Sequence, residues 1–146
     1  MKQVAHALIG AIVGTAMISG TPASSGEPPA ELQLDAVTTI AGVEVACTGI
    51  GQTKNDPRWL EFPVRLEFAN TRHEYLVGVT VRLSASQGAS LFEVSCAGPW
   101  LLLKLPDRAP YRVEAHMSDA IAPVLSRVVI APKTGQTRVV LTFPDS

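Results

Sequence analysis

The sequence predicts an all-β fold, an antiparallel sandwich of about seven to eight short strands. Two observations carry that expectation. From Val43 onward, apolar residues recur at every second position, the period of a strand with one face on a core. Proline and glycine, 11 of each, fall mostly between the short apolar runs, where turns are needed. No stretch beyond the N-terminus keeps a helical period.

The 146 residues are 47% hydrophobic and 17% charged, a composition suited to one folded domain. A formal net charge of −1 gives no electrostatic footprint for nucleic acid or an anionic membrane. The first residues read differently. Lys2 is the only charge before Glu27, and an apolar stretch runs from Val4 to Ile18 before small residues. That order is a secretory signal peptide over residues 1–23, with cleavage expected after Ala23. The apolar stretch is shorter than the roughly 20 residues a membrane-spanning helix needs, so no stable membrane insertion is expected after cleavage.

Residues 24–42 open with Ser24-Ser25-Gly26-Glu27-Pro28-Pro29 and read as a flexible leader. Within it, 31–40 fits either a strand or a short helix. The sandwich is expected over 43–146. Val43, Val45 and Cys47 form the first strand. Residues 48–60 are rich in turn formers, and Val64, Leu66 and Phe68 form the next strand. Tyr75, Val77, Val79, Val81 and Leu83 share one phase, as do Phe92, Val94 and Cys96. Trp100 to Leu105 is nearly all apolar, the mark of a central strand. Tyr111, Val113, Ala115 and Met117 alternate again, and 124–130 and 136–143 close the chain. Arg65, Glu67, Arg82, Glu93, Lys104, Arg112 and Glu114 take the outward phase and read as a solvated face.

Cys47 and Cys96 are the only cysteines, and both fall on the inward phase of their strands. They read as a disulfide through the core, worth roughly 4 kcal/mol for a loop of about 50 residues on the chain-entropy model. Two buried free thiols are the alternative. The Cys-x-x-Cys spacing of a redox pair is absent, and no further ligands stand at zinc spacing.

The run Gly98-Pro99-Trp100-Leu101-Leu102-Leu103-Lys104-Leu105-Pro106, followed by Tyr111-Arg112-Val113-Glu114-Ala115, resembles the carboxypeptidase regulatory-like domain family. Val77 to Leu83 is similar to that family's preceding strand and Val139 to Phe143 to its closing one. Cys47-Thr48-Gly49-Ile50-Gly51 looks like the start of small exported bacterial members. The resemblance implies a transthyretin-like sandwich. The chain departs from it at 106–110, where the family's turn glycine is missing. Independently of the family, Trp100 is expected to cap one end of the core. The Tyr111 ring is expected to pack inward with its hydroxyl reaching a loop carbonyl.

Chemistry is sparse in this sequence. His73 lies in a turn and His116 on an outward strand position, with no reason to converge. His116-Met117-Ser118-Asp119 lacks a nucleophile elbow, and Gly49-Ile50-Gly51 lacks the rest of a nucleotide loop. Hydroxyisourate hydrolases share the implied architecture, but their Tyr-Arg-Gly-Ser tail has no counterpart in Phe143-Pro144-Asp145-Ser146. No catalytic residue, metal or cofactor is expected. The leading expectation is a non-catalytic accessory or protein-interaction module in the periplasm or secreted, meeting another cell-envelope protein by a sheet edge or by loops. The richest loop surface is Lys54, Asp56, Arg58 and Trp59, though Trp59 can equally fold back onto the body. A small-ligand domain is the alternative, carbohydrate being the type, with Trp59 and Trp100 as stacking platforms. A hydrolase ranks last.

Overall fold

In a computed structural model, residues 28–118 and 121–145 are described. The signal peptide, the expected cleavage site after Ala23 and Asp119 lie outside them. The strands, in chain order, are β1 (Ala30–Leu32), β2 (Val37–Ile40), β3 (Val43–Thr48), β4 (Val64–Asn70), β5 (Val79–Ala85), β6 (Ser90–Cys96), β7 (Trp100–Lys104), β8 (Tyr111–His116), β9 (Leu125–Val129) and β10 (Thr137–Phe143). They make two five-stranded sheets, β1-β6-β5-β8-β9 and β2-β3-β7-β4-β10.

Alternate side chains from the two sheets meet in a shared interior. Val79, Val81 and Leu83 of β5 and Val94 of β6 face Val43 and Val45 of β3, Leu66 and Phe68 of β4 and Leu101 of β7, all fully buried. Burial of this kind contributes about 1.5–3 kcal/mol per large aliphatic side chain. Cys47 and Cys96 form a disulfide across that interior, with Cα atoms 5.6 Å apart. It joins β3 to β6, each of which lies next to an edge strand of its own sheet, β2 and β1.

The sandwich holds more strands than expected, and its sheets are mixed. Residues 31–40, left open between strand and helix, form most of β1 and all of β2, so the fold begins inside the segment read as a flexible leader. β1 pairs parallel with β6, and β10 pairs parallel with β4 over Thr137–Phe143 against Val64–Asn70. The other ladders are antiparallel. Parallel and antiparallel neighbours leave the same one-sided alternation in a sequence, which is why the pairing sense did not show there.

Two local phases also differ from expectation. Tyr75 and Val77 are half exposed rather than inward, and Leu76 packs toward the core. Gly78, at a positive φ of 76°, resets the alternation before β5. Trp100 does not cap the core. It lies on the outer face of its sheet, opposite Thr48 and Glu67.

Candidate functional site

Three surfaces are candidates: the 48–60 loop, the outer face of the sheet β2-β3-β7-β4-β10, and the edge strands β9 and β10. The loop folds as two short 3-10 turns, Gln52–Asn55 and Pro57–Glu61. Asp56 caps the second by accepting from the Arg58 amide at 3.0 Å. Trp59 folds back, 3% exposed, against Ala46, Phe62 and Leu102, and its indole N–H donates to the Thr53 carbonyl at 2.7 Å. Arg58 lies over that ring at 4.1 Å, pairs with Asp56 and donates to the Asp35 carbonyl.

Asp35 is the anchor that sequence reasoning missed. Its two carboxylate oxygens accept from Thr48 Oγ1 at 2.6 Å and Thr53 Oγ1 at 2.9 Å. Its place in the β1–β2 connection gave no signal, because contacts this distant in sequence carry no local pattern. Of the four loop residues singled out, Asp56, Arg58 and Trp59 are thus brought together, but on each other and on the body. Lys54 stands exposed apart from them.

On the neighbouring part of the same face, Glu67 is fully buried although its phase is outward. Arg138 of β10 donates to it, Arg65 reaches it at 3.3 Å, and the Tyr75 hydroxyl donates to Oε1 at 3.1 Å. Arg65 also covers the Trp100 ring at 4.4 Å, with Tyr75 edge-on to it. The carboxylate and its hydrogen bond hold the exposed Arg138 guanidinium above its ordinary pKa. Neither tryptophan therefore presents a free ring face to a sugar.

The third surface is different in kind. β9 and β10 each end a sheet, so among the described residues each has one backbone edge without a neighbouring strand. Exposed large apolar side chains on or beside them are Val124, Val128 and Ile130 along β9 and Val140 on β10. Val128 and Ile130 are 63% and 53% exposed and project from the outer face of β9 beside β8. The sequence signal was present in Val128-Val129-Ile130: three consecutive apolar residues cannot all face inward on one strand.

His73 lies in the turn after β4, at φ 64°, and His116 at the end of β8. Among the described residues, no group of three His, Cys, Asp or Glu side chains is placed to hold a metal ion. No helix among them is long and apolar enough to cross a membrane. A cleft of ≈ 540 Å³ opens beside β1, between Pro28, Ile40 and Phe92, with the Arg82–Glu93 pair on its wall. Neither a family model nor a curated protein matches the chain.

Proposed function

We propose that the chain is an exported, non-catalytic interaction module that engages another cell-envelope protein through the edge strand β9. One observation carries the choice of surface: Val124, Val128 and Ile130 are exposed along β9, which among the described residues has a strand on one side alone. Backbone pairing at such an edge supplies affinity, and alternate side chains supply selectivity. Export is supported by the basic-then-apolar N-terminus and by the disulfide, a bond that persists in oxidising compartments. The resemblance to carboxypeptidase regulatory-like domains supports an accessory role in the periplasm or outside the cell. The carbohydrate reading needs open tryptophan faces, and both rings are covered.

The test compares binding of the mature chain to solubilised envelope proteins with that of a Val128→Lys/Ile130→Lys variant. Both positions are exposed, so the fold should be unchanged by circular dichroism. The expected result is at least a tenfold loss of binding, the effect of losing two apolar anchors at about 1–2 kcal/mol each. Unchanged binding, with a loss on Lys54→Glu instead, would move the interface to the 48–60 loop.

A further inference from the structure

Resting on that reading, we infer that β9 accepts an extended protein segment carrying an aspartate or glutamate opposite Arg127. Among the described residues β9 pairs with β8 alone, and no strand lies along its other edge. Arg127 sits opposite the fully buried Val113 and shares the phase of Leu125 and Val129, the core-facing side of the strand. Its head nevertheless reaches solvent, because it stands at the margin. Its NH1 donates to the Ser126 carbonyl at 3.0 Å, and among the described residues no carboxylate pairs with it. Arg58, Arg65, Arg72, Arg82 and Arg138 all have carboxylate partners. Arg108 and Arg112 do not, but the first is in a turn and the second is shielded from the edge by β9 itself.

A charge on the inward phase of an edge strand is selective. A strand added beside β9 would place one side chain about 5 Å from that of Arg127 on the same face. An apolar residue there would strip water from the guanidinium and return nothing. A basic residue would repel it. A carboxylate replaces the lost water with a bidentate, charge-assisted contact. On the opposite phase, Val124, Val128 and Ile130 favour apolar neighbours across the new ladder. The preferred segment is therefore an acidic residue within a run of β-branched or other apolar residues. Charge also argues against a second copy: β9 against β9, antiparallel about its centre, would set Arg127 against Arg127.

The test uses the mature chain and two synthetic peptides, Val-Thr-Val-Glu-Thr-Thr-Val and its lysine counterpart, followed by amide chemical shifts. The glutamate peptide is expected to move Leu125–Val129 resonances and to bind at least tenfold more tightly than the lysine peptide. Arg127→Glu should reverse that order. Equal affinities in the wild type, or no reversal in the variant, would overturn the acidic preference. If Val128→Lys/Ile130→Lys still abolished both complexes, strand addition at this margin would stand without it. If neither peptide moved β9 and that double variant kept its envelope binding, both readings would fall. Self-association abolished by Val128→Lys would make a second copy the occupant and overturn the inference.

Discussion

Glu67 has the outward phase of its strand and yet no exposed surface. The reason lies in its neighbours: Arg65, two residues away on β4, and Arg138, opposite Arg65 on β10, fold their long side chains over the carboxylate. Truncating the acid leaves two guanidinium groups facing each other. Glu67→Ala should lower the unfolding free energy by about 3 kcal/mol, the low end for a broken buried ion pair, read from urea denaturation. Arg138→Ala should cost less, since Arg65 and Tyr75 still hold the acid. Tyr111 offers a second residue-level check. Its hydroxyl donates to Asp107 at 2.9 Å, and burial, reinforced by that bond and by the Asp107 charge, raises its pKa above 10.0. The folded state thus disfavours the phenolate. The stabilisation is complete below the unfolded value of about 10 and is lost as pH rises through the higher folded value. Tyr111→Phe should flatten this alkaline limb in denaturation curves collected between neutral and strongly alkaline pH. The same Asp107 also accepts from the Ala109 amide, which shapes the 106–110 turn without a glycine.

At the scale of elements, the strands with a clear inward face were legible from their residues. β6 and β8 alternate between buried and more exposed positions, as Tyr111-Arg112-Val113 does, while β3 and β4 alternate over their first three residues and are then buried on both faces. β1 and β2 were not legible. They have three and four residues, and most of their side chains are exposed, so no period identifies them. They exist because β6 and β3 have edges to extend, a tertiary cause. Trp100 was misplaced for a related reason: a nearly continuous apolar run does not say which face each ring takes. Here the outer face is also covered, with Leu102 beneath Trp59 and Phe62. The candidate site was partly legible. The apolar run in 124–130 was visible, but that β9 ends its sheet depends on the strand order, which residue patterns do not encode. The disulfide between β3 and β6 gives this scale its prediction. Intact mass should rise by about 2 Da on reduction. Cys47→Ser/Cys96→Ser should destabilise by at most about 4 kcal/mol.

For the whole molecule, both sheets share one interior and one crosslink, so unfolding is expected to be a single transition. Tryptophan emission, which reports the outer face of one sheet, and far-ultraviolet circular dichroism should give coincident urea curves. Reduction should shift the midpoint down and steepen the denaturant dependence, because an uncrosslinked denatured chain exposes more surface. Two curves that separate would mean the sheets come apart independently. The order of the strands has one more consequence. β10, late in the chain, lies parallel to β4 across the full ladder from Thr137 to Phe143. The flank of β4 therefore stays bare until β10 is free to dock. Contacts spanning so much chain close slowly, and a helper that shields that flank during folding should raise the yield of correctly assembled protein.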